Sequence, residues 1–197
     1  MVLRHTRMAP ASIQSGTPPQ QQWQRIFIPP NVMYKVPNGG PDIGIPEMEN
    51  CITKVYVFDP DNVESVYFEI PVPLDWIAGT DAYAYPIFCT SINLYAQIRW
   101  GLAWLPMVKG ISIAAVPNVI EGNFDADGTG VVIPPKSQWL TLKGSLLSAG
   151  EPAFKQDDFT LIADLSCKLY RAANSVFDTH PGEAYLLGLV VMYQAYI

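Results

Sequence analysis

The sequence is poor in charged residues, and neither its charge nor its hydropathy points to nucleic acid or to a membrane. Charged residues make up 15% of the 197 residues, and the formal net charge is −6. A surface that binds nucleic acid needs an excess of lysine and arginine, so this balance argues against one. No apolar run is long enough to cross a bilayer as a helix, and the N-terminus lacks the apolar stretch of a secretory signal. The low charge favours a large core, or surface hidden against partners.

Cysteine is also scarce, which excludes two common ways of stabilising a small domain. The three cysteines are Cys51, Cys89 and Cys167. An odd number with no close pair argues against a disulfide framework and against a zinc site. We expect Cys89 and Cys167 to be buried as small apolar side chains.

Residues that carry out catalysis are few and badly placed. Of the two histidines, His5 lies near the N-terminus, and we interpret His180, in a turn at 178–182, as a solvated loop residue. The acids from which a sugar hydrolase might take a catalytic pair all have turn-like neighbours: Asp59, Asp61, Glu64, Asp157 and Asp158. No serine-hydrolase, phosphate-loop or zinc-protease motif occurs. We therefore predict a protein that is not an enzyme, with no catalytic residue and no cofactor.

The first fifty residues have a different composition from the rest of the chain. They contain eight of the 18 prolines, and no period of two or 3.6 survives so many interruptions. Apolar side chains are nevertheless scattered through them: Trp23, Ile26, Phe27, Ile28, Val32, Met33, Tyr34 and Val36. We predict an extended Pro-rich N-terminal arm over 1–50 that lies along its own domain or along a neighbour. The alternative, that 26–36 is the first strand of the domain, is left open.

Residues 51–197 read as one β-sandwich domain. The stretch 53–76 shows the pattern most clearly, because Val66, Phe68 and Ile70 alternate with polar residues and an acidic turn precedes them. Strands are predicted at 53–58, 64–70, 92–100, 110–116, 129–133, 138–143, 158–170 and 184–196. Turn residues mark connections at 78–86, 117–130, 144–157 and 171–183. The predicted fold is all-β: an antiparallel, jelly-roll-like sandwich of about eight strands.

The last predicted strand is apolar on both faces. One face carries Tyr185, Leu187, Leu189, Val191 and Tyr193, and the other carries Leu186, Val190 and Met192. A sandwich covers only the inner face of each sheet. We therefore expect the arm or another subunit to cover the outer face, and this predicts an oligomer.

Two further patterns raise the question of a ligand. Asn123, Asp125 and Asp127 precede Gly128 like the first half of a calcium loop, but no glutamate follows at the twelfth position, so we favour an acidic hairpin turn and predict no metal. Several aromatic residues would suit a sugar-stacking platform: Trp76, Trp100, Trp104, Trp139, Tyr83, Tyr85 and Tyr95. Trp100 falls on the apolar face of its strand, and we favour core or interface roles for the group.

From residue 53 onwards the sequence resembles a β-sandwich domain of tailed-bacteriophage virion proteins. The resemblance lies in the run VYVFDPDNVESVYFEIPVPLDW, in a strand that ends in Trp-Gly, and in a late strand that ends in Arg before a loop and a final Leu-Leu-Gly strand. The matching residues are Phe58, Asp59, Glu64, Ser65, Val66, Phe68, Pro73, Asp75, Trp76, Trp100, Gly101, Arg171, Asn174, Asp178, Leu186, Leu187 and Gly188.

The resemblance implies a structural component of a virus particle with no catalytic residues. It suggests a capsid decoration (cement) protein, often a homotrimer, in a virion assembled in the host cytoplasm. Such a protein would bind the shell of the major capsid protein through its arm and oligomer contacts, and would stabilise that shell. The alternative is a receptor- or glycan-binding module of a phage tail or head fibre, with a host glycan as its partner. The chain has neither shaft repeats nor heptads, which favours the decoration protein.

Overall fold

The computed structural model describes residues 20–37, 39–44, 55–73, 75–77, 80–108, 116–126, 130–142 and 162–196. Within them the chain forms eleven β-strands and two short 3-10 turns, Pro30–Val32 and Lys136–Gln138. The strands are β1 Gln21–Ile28, β2 Tyr34–Lys35, β3 Asp42–Gly44, β4 Val55–Phe58, β5 Glu64–Pro71, β6 Ala82–Thr90, β7 Ala96–Val108, β8 Asn118–Ala126, β9 Leu140–Leu142, β10 Ile162–Arg171 and β11 Ala184–Tyr196. A search of this part of the chain for a helix long and apolar enough to cross a membrane finds none.

The strands form two antiparallel sheets that enclose one core. Sheet A has the order β3-β4-β11-β6-β9, with β1 also paired to β11, and sheet B has the order β2-β5-β10-β7-β8. From β4 onwards every connection crosses from one sheet to the other except the one between β7 and β8, which are neighbours in sheet B. The result is β4-β11-β6-β9 against β5-β10-β7-β8. This is the arrangement of a jelly roll. The prediction of an all-β, antiparallel jelly-roll sandwich is confirmed.

Large apolar side chains from both sheets meet at Trp100, which is fully buried. Its ring lies edge-on to Phe58 of β4, with centroids 4.9 Å apart, and 5.8 Å from Phe88 of β6. The expectation that Trp100 belongs to the core is confirmed, as is the burial of Cys89 and Cys167. Cys51 lies outside the described residues. Because Trp100 is on sheet B and its two partners are on sheet A, this cluster joins the sheets.

Two strands were wrongly predicted as connections. Strand β6 covers 82–90 although 78–86 has turn composition and contains Pro86. The N–H of Phe88 points away from β11 and donates to the carbonyl of Val132. Because residues two apart in a strand direct their backbone nitrogens to the same side, the nitrogen of Pro86 also points away from β11. On that side β9 pairs only with Ala82–Ala84, so proline removes no ladder bond there.

Strand β8 covers 118–126, within the predicted connection 117–130. Phe124 and Ala126 are buried, whereas Asn123 and Asp125 lie on the opposite face, so the spacing taken for calcium ligands is the period of a strand. The strand predicted at 92–100 begins only at Ala96 and continues to Val108. Ile92 and Leu94, predicted on its apolar face, are exposed in the preceding loop.

The remaining strand predictions have mixed outcomes. In the part of the predicted strand 129–133 that the structure describes, residues 130–133, Val132 alone is paired, through an isolated bridge to Phe88. Most of the strand predicted at 110–116 lies outside the described residues. The predicted strands at 138–143 and 158–170 correspond to β9 and β10, and the last one corresponds to β11.

Strand β11 contains a bulge that changes which residues face the core. Its pairing with β6 shifts register between Leu186 and Gly188. Before the shift Ala184 and Leu186 belong to the core, and after it the core residues are Leu189, Val191, Tyr193 and Ala195. The two faces predicted from a strict period of two are therefore wrong in their first half, because a bulge inserts one residue.

The first residues that the structure describes, from Gln20 onwards, are built into the sandwich. All eight residues of β1 pair with β11, from Gln21 opposite Tyr196 to Ile28 opposite Leu189. Ile28 and Met33 are buried in the core, and the hydroxyl of Tyr56 donates to the carbonyl of Met33 at 2.7 Å. Of the two alternatives, a strand does form, although it lies at 21–28 rather than 26–36. The division into an arm at 1–50 and a domain at 51–197 stays a prediction.

Candidate functional site

The outer face of sheet A carries a cluster of aromatic rings with a lysine beside them. We call this cluster, made up of Trp23, Tyr83, Tyr85, Trp139 and Lys136, the aromatic surface. Trp23 comes from β1, the two tyrosines come from β6, and the other two lie before β9. Strand alternation turns the two tyrosines away from the core because Ala82, Ala84 and Phe88 face inward.

The rings of the aromatic surface form a continuous series. Trp23 lies edge-on to Tyr83 with centroids 5.6 Å apart, and Tyr83 lies 6.4 Å from Trp139. Trp139 and Tyr85 are stacked at 4.7 Å with planes 17° apart. The indole N–H of Trp139 donates to the carbonyl of Pro134 at 2.9 Å, which fixes that ring. The series is thus held both by ring contacts and by a hydrogen bond.

Lys136 lies over two rings of this surface. Its ammonium nitrogen is 5.2 Å from the ring centre of Trp23 and 5.9 Å from that of Tyr83, which is cation–π geometry. Arg25 lies on the same face of β1, opposite Met192 of β11. Neither cation forms an ion pair with a carboxylate of the described residues. On a chain of net charge −6, this face therefore presents two cations that no carboxylate in the described part of the chain neutralises.

The fold divides the aromatic residues that were considered as a sugar-stacking platform, for which core or interface roles were favoured. Trp100 and Trp104 are buried, 0% and 2% exposed. Trp76 packs near Tyr193, and Tyr95 is exposed in the loop before β7, so neither joins the aromatic surface. Three of the residues considered for the platform do come together: Tyr83, Tyr85 and Trp139. Trp23 and Lys136 were missed because only the pairing of β1 with β11 brings Trp23 to this face.

A second exposed apolar region surrounds a small cavity in the N-terminal part. The cavity has a volume of about 210 Å³ and is lined by Pro30, Asn31, Met33, Ile43, Val55 and Tyr56. Ile43 is 58% exposed, and Val32, which follows Asn31, is 56% exposed. We call Val32, Ile43 and this cavity the N-terminal rim. A cavity of this size accommodates an apolar side chain from a partner.

The residues considered for catalysis or for a metal have structural roles where they are described. The backbone N–H of Asp59 donates to Glu64 at 2.8 Å, and that of Asp61 donates to Asp59 at 2.6 Å, so these acids shape the β4–β5 turn. Burial raises the pKa of Glu64. Across the described ranges no group of three acidic, histidine or cysteine residues is placed to hold a metal ion. Asp157, Asp158, Asp127, Gly128 and His5 lie outside the described residues.

The two described members of the calcium-like pattern also have partners of other kinds. Asn123 accepts a hydrogen bond from Arg99 at 2.8 Å. Asp125 accepts from the side-chain amides of Gln97, at 3.1 Å, and Gln138, at 2.6 Å. The structure therefore uses both side chains in hydrogen bonds that tie β8 to its neighbours.

His180 is buried, so its prediction as a solvated loop residue is wrong. It is 2% exposed, and its Nδ1 accepts from the backbone N–H of Gly182 at 3.1 Å. Burial lowers the pKa of His180, and the charge of nearby Arg171 adds to this, whereas the charge of Asp178 and hydrogen bonds to backbone carbonyls oppose it. The loop folds inward because it must cover Arg171.

The buried guanidinium of Arg171 fastens the loop 172–183 to the end of β10. It pairs with both carboxylate oxygens of Asp178, at 2.9 and 2.8 Å, and donates to the carbonyls of Gly182 and His180 at 2.7 and 2.5 Å. Asp178 also accepts from the backbone N–H of Arg99 at 3.1 Å. Removing one member of such a buried pair costs about 3–5 kcal/mol because the other charge is left without a partner. Arg171 and Asp178, which belong to the phage-protein resemblance, are thus structural.

The outer face of sheet B carries an ion pair and hydrogen bonds around Glu121. Tyr170 donates to Glu121 at 2.7 Å, and Arg99 pairs with the same carboxylate at 2.8 Å. The hydrogen bond from Tyr170 lowers the pKa of Glu121, and burial opposes it. The ammonium of Lys168 lies 5.3 Å from the ring centre of Tyr170. This lysine–tyrosine contact is a natural control for Lys136.

Comparisons with known proteins add little to these observations. No family model matches the chain, and the comparison with curated proteins finds no match. Among solved structures, a chain of the "Glycosylation Associate Protein (Gap123) complex from Streptococcus agalactiae" is similar over 87% of this chain, with 11% identity and a TM-score of 0.44. The present chain spans 26% of that chain. A likeness this weak carries no information about function.

Proposed function

We propose that this protein is a non-enzymatic structural protein of a virion, a decoration (cement) protein that binds the major capsid protein through its N-terminal part. The resemblance to tailed-bacteriophage virion proteins motivates the proposal. The jelly-roll fold supports it by analogy, because viral capsid and lectin domains share this fold. The protein would then be located in the virion, and its role would be mechanical.

The observation that carries the proposal is the apolar area that the N-terminal part leaves exposed. Ile28 and Met33 are buried in the core, whereas Phe27, Val32, Tyr34 and Ile43 are 52%, 56%, 56% and 58% exposed. Ile43 lines the cavity of the N-terminal rim, and Val32 directly follows Asn31, another of its lining residues. Exposed apolar side chains beside a cavity are typical of an interaction surface. Burying Val32 and Ile43 of the N-terminal rim against a shell protein contributes roughly 1.5–3 kcal/mol for each side chain fully covered.

The first test is the copy number of this protein in purified particles, by quantitative mass spectrometry against the major capsid protein. A number comparable to that of the capsid subunits is expected. Absence from the particles would overturn the proposal. A handful of copies would contradict a role across the shell and favour the tail or a vertex.

The second test locates the contact. Particles lacking the protein are incubated with purified protein carrying both Val32→Ser and Ile43→Ser, and bound protein is measured by cosedimentation. We expect binding at least about tenfold weaker than wild type because apolar burial is lost. Val176→Ser is the matched control because Val176 is 85% exposed in the loop 172–183. Equal effects of the two variants, or none, would contradict docking through the N-terminal rim.

The aromatic surface favours a second candidate function, a glycan-binding module of a phage tail or head fibre. Exposed rings on a sheet face bind the apolar face of sugar rings. Copy number separates the two functions, since a tail or fibre protein is present at only a few copies per particle.

A further inference from the structure

We propose that the aromatic surface binds an acidic oligosaccharide, with its rings packing against the sugars and Lys136 and Arg25 binding the carboxylates. This inference deepens the second candidate function and is independent of the first. The shape of the aromatic surface, its charge and its neutral polar groups all suit such a ligand.

The shape suits a short chain of sugar rings. Cross-strand neighbours place Arg25, Met192 and Tyr83 in one row and Phe27, Val190 and Tyr85 in the next. With strands about 4.8 Å apart, the three strands give an open face roughly 10 Å wide, with Trp139 beyond it. On this face Trp23 is exposed, and Tyr83, Tyr85 and Trp139 are half-buried. A sheet face with such rings fits pyranoses, whose C–H faces are apolar, better than it fits a helix, which needs a groove.

The charge selects an acidic sugar over a neutral one. Lys136 is exposed, lies over Trp23 and Tyr83, and has no carboxylate partner among the described side chains. A sugar packed on those rings would bring a ring carboxylate within reach of the ammonium group. The hydrogen bond formed would be charge-assisted and therefore stronger than a bond between neutral groups.

Polar neutral groups border the rings, as sugar hydroxyls require. Gln194 lies opposite Trp23 on β11, and Thr141 lies opposite Tyr83 on β9. Both follow the strand alternation that turns Tyr83 outward, and both supply donors and acceptors. The surface therefore combines aromatic rings, neutral polar groups at their border, and two cations. Together these groups match the apolar faces, the hydroxyls and the carboxylates of an acidic oligosaccharide.

The test uses purified protein and two probes of equal length. Hyaluronan tetrasaccharide alternates glucuronate with N-acetylglucosamine, and chitotetraose contains N-acetylglucosamine alone. Titration calorimetry and tryptophan fluorescence should show the acidic probe binding with a Kd below about 1 mM and about tenfold more tightly than the neutral one. Raising the salt to about 0.5 M should remove most of that difference. Because no particles are needed, the result does not depend on a role in the shell.

Variants distinguish this proposal from nonspecific binding of the saccharides to the protein. Lys136→Gln should weaken the acidic probe about tenfold and leave the neutral one unchanged. Lys168→Gln, which removes the equivalent lysine over Tyr170 on sheet B, should change neither. Trp23→Ala should weaken both probes, whereas Tyr34→Ala, which removes a stacked tyrosine on the other sheet, should not.

The saccharide experiments would overturn the proposal if they showed no binding of either probe or equal binding of both. Equal loss with the two lysine variants, or full binding by Trp23→Ala, would also overturn it. Preference for a neutral proline-rich peptide over both saccharides would also overturn it and would assign the surface to peptide recognition.

Discussion

The burial of His180 should make the stability of the protein depend on pH. The lowered pKa of His180 means that, as the pH falls through the unfolded value of 6.5, the unfolded chain takes up the proton before the folded protein does. We therefore predict that the free energy of unfolding falls below about pH 6.5, with a slope of at most about 1.4 kcal/mol per pH unit. Urea unfolding between pH 5.5 and 7.5 measures it. At higher pH both states are neutral and the effect vanishes.

The control for this prediction is His180→Asn, whose side-chain oxygen can accept from Gly182 as Nδ1 does. Subtracting the free energy of unfolding of the variant from that of wild type at each pH cancels the contributions of Glu64 and Glu121. The raised pKa of Glu64 makes the protein less stable as the pH rises from about 4.5, and the lowered pKa of Glu121 makes it less stable as the pH falls below that value. Identical pH dependence in both proteins would show that His180 is not the group responsible.

Single residues also show which local features the sequence could reveal. The burial of Trp100 was predictable because a period of two placed it on the apolar face of its strand. The burial of His180 was not predictable, because it depends on Arg171, which lies at the end of another strand and requires a cover of carbonyls and a carboxylate. The composition of the loop around His180 is that of any exposed turn.

At the scale of elements, the sequence predicted strands where one face is apolar and failed where other constraints dominate. Strand β8 was missed because Asn123 and Asp125 have the composition of a turn, although their spacing is that of a strand. Strand β6 was missed because Pro86 normally excludes a paired strand, and only the short length of β9 allows it here. The two faces of β11 were misassigned because a bulge leaves no clear signal in composition.

Strand β1 gives the prediction at this scale. A protein that begins at Gln20 keeps the eight pairs of β1 with β11 and the buried residues Ile28 and Met33, so we expect a urea midpoint close to wild type. A protein that begins at Cys51 loses both and should unfold with a much lower midpoint, or without a cooperative transition. Circular dichroism during urea titration compares the two.

Equal stability of the two shortened proteins would mean that β1 contributes nothing to the fold, contrary to its pairing. The same comparison shows which deletion is suitable for testing whether the predicted arm binds particles. Cutting at residue 50 removes part of the sandwich, so only the shorter deletion tests the function of residues 1–19 without testing the fold.

For the whole molecule, one jelly roll produces two outer faces that carry different groups: the aromatic surface on sheet A, and the hydrogen bonds and ion pair around Glu121 on sheet B. The fold class was predictable because alternating strands and turn signals recur through most of the chain. The aromatic surface was only partly predictable, because its rings come from 23, 83, 85 and 139, which only the sheet pairings bring together. Spacing along the sequence carries no record of such pairings.

The final prediction concerns assembly. An oligomer was predicted because the last strand is apolar on both faces. Val190, on the outer face of that strand, is nevertheless only 5% exposed within one chain. Strand β11 therefore does not itself require a second subunit, and the homotrimer rests on the phage-protein resemblance. We predict that sedimentation equilibrium of the isolated protein gives the mass of three chains.

The same measurement on the protein carrying Val32→Ser and Ile43→Ser tests how the trimer and the shell contact share the surface. If the N-terminal rim binds the shell, it must stay free in the trimer, so the variant should remain trimeric while losing its binding to particles. A variant that dissociates into single chains would show that the rim joins the subunits to each other, and shell docking through it would then be wrong. A wild-type mass of one chain would remove the homotrimer itself.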